Sequence, residues 1–203
     1  MKNGLKMNPD YIEVYDNALS SEQCKEIIEY TNEQKLTPSK YGVDGGKPVK
    51  DTLMVEGVHF FDDSIVSQHL NLALAIYTPK YRESHPFIDV LTRWELVPAY
   101  TIKKYEPGMA YHAPHCEIDG WRHVHRMLVW MVYFNTVTDG GNTYFPQYDR
   151  TIDAVEGRLV IWPASWTHIH HGIVSNTQTK YISSGWWGFW DLLKDGNIPY
   201  KYL

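Results

Sequence analysis

His115-Cys116-Glu117, a histidine cluster at His168, His170 and His171, and Lys180 are the residues whose types and spacing could do chemistry. On an extended strand successive side chains alternate, so His115 and Glu117 share one face and Cys116 takes the other. A histidine arriving from the distant cluster completes a triangle of two imidazoles and one carboxylate. Such a set caps one face of an octahedral metal and leaves three positions open, the donor arrangement of a non-haem Fe(II) centre. Within the cluster, His168 and His170 share a period-two face and His171 lies on the other. Spacing alone therefore leaves the third ligand open. Asp119 is a rival carboxylate, on the face of Glu117 but farther from His115. Lys180 opens a run in which Lys180, Ile182, Ser184 and Trp186 share a face. A lysine on an inward, otherwise apolar or small face must find an anion, because an unpaired buried ammonium is costly.

These residues need a rigid frame, and the chain is long enough to build one. At 203 residues it can bury a core as one domain. Residues 10–16 alternate as a first strand. Ser20 and Ser21 with Glu22 and Gln23 form a helix start, followed by an apolar stripe at Cys24, Ile27 and Ile28. Residues 37–50, TPSKYGVDGGKPVK, are rich in turn formers and read as a mobile loop. A second helix is predicted near residues 64–77. From about residue 94 the chain reads as strands separated by Gly, Pro, Asn and Asp turns. Pattern alone implies helices placed before an all-β sandwich or barrel, with residues 10–90 supporting a core over 94–190.

The order of the surrounding motifs adds a resemblance. Tyr105, Gly108, Tyr111, His115 and Glu117 precede Arg126 and the run RMLVWMVYFN. Gly140-Gly141-Asn142-Thr143-Tyr144-Phe145 follows, then His170-His171-Gly172 and Lys180 ahead of YISSGWW. This series resembles the prolyl 4-hydroxylase-like branch of the 2-oxoglutarate and Fe(II)-dependent dioxygenases, over roughly residues 94–190. Glu117 stands where that family more often carries aspartate. The resemblance implies a double-stranded β-helix, or jelly roll, buttressed by helices. It implies Fe(II) held by His115, Glu117 and His170, the last from the H-x-G match at His170 and Gly172; His171 is the alternative. It implies 2-oxoglutarate held by Lys180, with Tyr133, Tyr105 and Ser184 as further pocket contacts, and O2 as second co-substrate. A requirement for ascorbate is left open. The implied reaction hydroxylates a substrate and releases succinate and CO2. A prolyl residue in a peptide or protein is the expected target, with lysyl side chains or small molecules as alternatives. Thr143 and Phe145 are expected to shape the sheet and the pocket wall, and Arg126 to make a structural or substrate-side ion pair outside the catalytic set.

Other classes fit less well. A non-catalytic cupin-like module has no need of the full ligand set with Lys180. A zinc hydrolase would use helical H-E-x-x-H spacing, which is not present. Lys plus Arg total 19 against 24 for Asp plus Glu, a net charge of −5, so no basic nucleic-acid footprint is expected. No apolar run approaches membrane-spanning length, and MKNGLKMNPD lacks the apolar core of a signal peptide. Two cysteines, Cys24 and Cys116, make no disulfide framework and suit a reducing cytoplasm. Oligomeric state is not encoded in any motif.

Overall fold

The computed structural model describes residues 9–44, 47–55, 58–91 and 93–189. The chain opens with β1 (Glu13–Tyr15), shorter than the alternation suggests, and enters α1 (Ser21–Glu33). The predicted helix start is a capping box. Ser20 accepts from the Gln23 backbone, and the Gln23 side chain accepts from the Ser20 backbone, satisfying two donors that the first turn leaves free.

Residues 37–50 correct the loop expectation. They form most of a hairpin, β2 (Thr37–Asp44) against β3 (Lys47–Val55). Asp-Gly is a strong hairpin-turn signal. Asp44 pairs with Lys47, and the described residues on either side are strand. The second helix also exceeds its expected span. α2 (Ile65–Ser84) runs through Pro79. Proline in a helix interior forfeits one ladder hydrogen bond. The turn beyond it brings Tyr81 into the core, where its hydroxyl donates to the Tyr11 carbonyl at 3.0 Å. Tertiary packing outweighs the local break.

The remaining strands are β4 (Trp94–Tyr105), β5 (Arg126–Tyr133), β6 (Thr143–Phe145), β7 (Arg150–Ile152), β8 (Leu159–Pro163), β9 (His171–Gly172) and β10 (Lys180–Phe189). They build two sheets. The larger is antiparallel in the order β1-β8-β5-β10-β4-β3-β2, and the smaller is β7-β6-β9. The segments before residue 90 thus add three strands to the main sheet as well as two helices. This is a mainly β jelly roll with N-terminal helices.

Strand β5 shows how the layers are stacked. Leu128, Trp130 and Val132 face α1 and α2, in a core with Ile27, Leu70 and Leu74. Val129, Met131 and Tyr133 face the opposite way, in a core with Phe145, Trp162 and Ile182. Both faces of β5 are covered, so it reads as an unbroken apolar run although its side chains alternate. Gly185 on β10 is required by this packing, because a Cβ there would lie 2.5 Å from the Trp130 ring. Among the described residues no helix is long and apolar enough to cross a membrane.

Candidate metal centre

The segment carrying His115 and Glu117 is extended but is not a regular strand. His115 makes an isolated antiparallel bridge to His170, with N–H···O bonds of 2.9 Å in both directions between their backbones. Glu117 is fixed two residues on, where its N–H donates to the Ala164 carbonyl at 3.1 Å. Backbone pairing thereby brings two distant segments to one point. One ligand-capable atom from each of His115, Glu117 and His170 lies within 4.8 Å of the others. Glu117 Oε1 is 3.7 Å from His115 Nε2 and 3.6 Å from His170 Nε2.

The imidazoles are held in the tautomer a metal needs. His115 Nδ1 donates to the Ala113 carbonyl and His170 Nδ1 to the His168 carbonyl, each at 3.0 Å. A carbonyl can only accept, so Nδ1 bears the hydrogen in both rings. Each Nε2 is left with a lone pair directed at the cluster. Burial pushes the His115 imidazole down to about 4, helped by the charge of His170 and opposed by Glu117. The ring is therefore neutral near pH 7, as a ligand must be. Tyr111 stacks flat on it at 3.6 Å.

Glu117 is the complementary charge. Burial works against its ionised form, but His170, His115 and Arg126 hold its carboxyl well below the usual carboxylate range. Its Oε2 accepts from Trp186 Nε1 at 2.8 Å, with the Arg126 guanidinium at 3.5 Å. Arg126 is stacked on the Trp186 ring at 3.7 Å. The ion pair expected of Arg126 therefore ends on Glu117 itself. Two imidazoles and a charged carboxylate fit a divalent metal of the Fe(II) type.

The cluster borders an inner cavity between the sheets, which also takes in Lys180, Tyr105, Thr143 and Ser184. Lys180 is 5 % exposed. Its ammonium donates to the Gly141 carbonyl at 3.0 Å and lies over the Tyr105 ring. Among the described residues no carboxylate pairs with it, and burial pushes it down to about 8. The Gly140-Gly141 turn aims that carbonyl. Both glycines have positive φ, and a Cβ on Gly140 would strike the Val174 carbonyl oxygen at 2.0 Å.

Tyr133 stands one layer behind its expected place. It does not line the cavity. Its hydroxyl shares a 2.7 Å hydrogen bond with Thr143 Oγ1, and Thr143 reaches the cavity wall. Phe145 packs against the His170 ring. His168 is used elsewhere, its Nε2 donating to the Asp10 carbonyl at 2.7 Å. His171 sits on β9 against Tyr144, outside the cavity. Asp119 pairs with His123 at the surface.

A second, outer chamber of about 210 Å³ shares His115 and Glu117 with the inner one. Trp186 and Arg126 form part of its wall, with Met54, and Cys116 and Asp119 also border it. Sequence reasoning passed over the Trp186–Glu117 bond, the Tyr111 stack and Lys103, which borders both cavities. Lys103 shares a period-two face of β4 with Tyr105, but no motif marks it.

No protein-family model matches the chain, and no curated protein does. Solved structures do resemble it. A viral collagen prolyl hydroxylase from Paramecium bursaria Chlorella virus-1, in its 2-oxoglutarate complex, is 16 % identical at a TM-score of 0.63. That likeness spans 91 % of this chain and 99 % of the viral one. A prolyl-4-hydroxylase from Pseudomonas putida is also 16 % identical at 0.63, over 89 % and 94 %. A prolyl hydroxylase from Trichoplax adhaerens, bound to a peptide from the oxygen degradation domain of hypoxia inducible factor, is 12 % identical at 0.65, over 89 % and 84 %. The fold is shared with these oxygenases at low sequence identity.

Proposed function

We propose that this chain is an Fe(II)- and 2-oxoglutarate-dependent dioxygenase that hydroxylates a prolyl residue in a peptide or protein. The observation that carries the reading is the meeting of His115, Glu117 and His170 within 4.8 Å beside a buried lysine that no described carboxylate neutralises. When bound, iron with 2-oxoglutarate and O2 supplies oxidising power that inserts one oxygen atom into a C–H bond and yields succinate and CO2.

The protein's part is to bind, orient and exclude water. His115 and His170 present Nε2 because Nδ1 is spent on backbone carbonyls. Glu117 stays charged and turns Oε1 to the centre because Oε2 is held by Trp186. Lys180 receives the far carboxylate of 2-oxoglutarate, and the Tyr105 ring and Thr143 hydroxyl flank it. Val129, Met131, Trp162 and Ile182 wall the cavity with apolar surface, which strengthens the ion pair by removing water. The outer chamber takes the substrate, whose ring meets the stacked Trp186 and Arg126. A peptide substrate is favoured by the Trichoplax neighbour, which holds one.

The test is succinate formation that depends on both iron and 2-oxoglutarate, with mass spectrometry of proline-containing peptides for the gain of one oxygen. Iron- and 2-oxoglutarate-dependent succinate without a peptide product would keep the enzyme class and reject the substrate. Binding without any turnover would make the chain a ligand-binding module.

A further inference from the structure

Lys103 lies on β4, where its Cα pairs with that of Ile182 on β10. Its ammonium donates to Ser184 Oγ at 3.0 Å, and the residue borders both the inner cavity and the outer chamber. Lys180 and Ser184 share a face of β10 four residues apart, about 13 Å of strand. The two ammonium groups therefore reach the inner cavity from different levels. Lys180 is beside Gly141 and the Tyr105 ring. Lys103 is at Ser184, one step along the face from Trp186, whose indole holds Glu117. His115 and Glu117 border the same two cavities as Lys103.

We propose that Lys103 is a second anion-binding residue of this pocket, receiving the carboxylate at the metal end of a 2-oxo dicarboxylate while Lys180 receives the carboxylate at the far end. This rests on the reading of the pocket as a 2-oxoglutarate site. Each end of the ligand then meets its own cation, and the two contributions are separable. A 2-oxo monocarboxylate of the same length keeps the metal-end carboxylate and loses only the group meant for Lys180.

The experiment is a calorimetric titration of Mn(II)-loaded protein with 2-oxoglutarate and with 2-oxopentanoate. It compares wild type, Lys103→Met, Lys103→Arg and Lys180→Met, with thermal melts to show that each is folded. Lys103→Met is expected to weaken both ligands by the same factor, about tenfold or more for the loss of one charge-assisted hydrogen bond. Lys103→Arg keeps most of the affinity. Lys180→Met weakens 2-oxoglutarate and leaves 2-oxopentanoate unchanged. Affinity for both ligands unaltered by Lys103→Met would overturn the proposal. So would weakening confined to 2-oxoglutarate, which would place Lys103 at the far end. If wild type binds neither ligand, the reading of the pocket itself falls and the proposal falls with it. If wild type binds 2-oxoglutarate through Lys180 alone, only the role of Lys103 is lost.

Discussion

Trp186 Nε1 donates to Glu117 Oε2 at 2.8 Å, which leaves Oε1 as the carboxylate oxygen 3.6–3.7 Å from both imidazole nitrogens. One indole hydrogen bond thus chooses which oxygen a metal would meet.

Trp186→Phe tests that choice. The ring is kept and the donor is lost, so Oε2 is left with only the longer contact to Arg126. Loss of a group that orients a metal ligand typically costs about 10- to 100-fold in metal affinity. The expected outcome is weaker iron binding in that range with a melting temperature close to wild type, measured by titration against a competing chelator. Wild-type affinity would mean that the indole only packs.

The third ligand has its own test. His170 points into the cluster, whereas His171 lies outside the cavity beside Tyr144. His170→Ala and His115→Ala are expected to lose iron and turnover together, and His171→Ala to retain both. Iron content by mass spectrometry after anaerobic loading decides. Loss of metal in His171→Ala alone would shift the ligand by one residue.

The segments 37–50 and 118–125 are expected to border the substrate entrance. The second contains Trp121, which is 71 % exposed, on the short turn Trp121–His123 four residues beyond Glu117. Tryptic cutting after Arg122 should slow when iron, 2-oxoglutarate and a substrate peptide are bound, as for loops that close over a pocket. Equal rates under confirmed binding would rule out a closing element.

What was legible in the sequence follows from how local each signal is. His115, Glu117, His170 and Lys180 stood out because motif order identifies them, and the structure gathers all four around one cavity. The two faces of β5 follow from strict alternation. The β2–β3 hairpin was missed because it ends the sheet, and an edge strand need not carry an apolar pattern. α2 runs past its expected end near residue 77 because the burial of Tyr81 that carries it onward is a tertiary fact. The turning of Tyr133 toward Thr143 depends on β6 lying opposite β5, which no spacing reveals. Lys103 belongs to no motif, and only the pairing of β4 with β10 shows what it faces.

Gly185→Val tests the packing of that central strand. The nearest atoms to a Cβ belong to the fully buried Trp130 ring, at 2.5–2.9 Å, and the ring is enclosed by the helix-side core. Overpacking of a well-filled core typically costs about 1–3 kcal/mol. The variant is expected to melt several degrees lower, and a simultaneous Trp130→Phe change to recover part of the loss. An unchanged melting temperature would show that the ring can give way.

Lys180 should carry a pH dependence with opposite signs for folding and for binding. Burial pushes its ammonium from 10.5 down to about 8. The unfolded chain then holds this proton more tightly than the folded one. The penalty on folding is complete below pH 8 and fades as pH rises from 8 toward 10.5. Without ligand, Lys180→Met is expected to melt above wild type at about pH 7, with the difference closing across that window. A bound dicarboxylate reverses the balance, because a carboxylate against the ammonium favours its charged form. Affinity for 2-oxoglutarate should be greatest below pH 8 and decline as pH rises past it, since the neutral amine must first be recharged. Lys180→Ala should lose about 3–5 kcal/mol of that affinity, the typical cost of leaving one member of a buried ion pair alone. That is about two to four powers of ten, whereas iron binding, which does not use Lys180, should hold. Titration of the anaerobic Fe(II) protein with 2-oxoglutarate, followed by the charge-transfer absorbance of the chelate, measures both effects. An affinity flat through the window in wild type, or unchanged in the variant, would take Lys180 out of the site and with it the main electrostatic argument for this co-substrate.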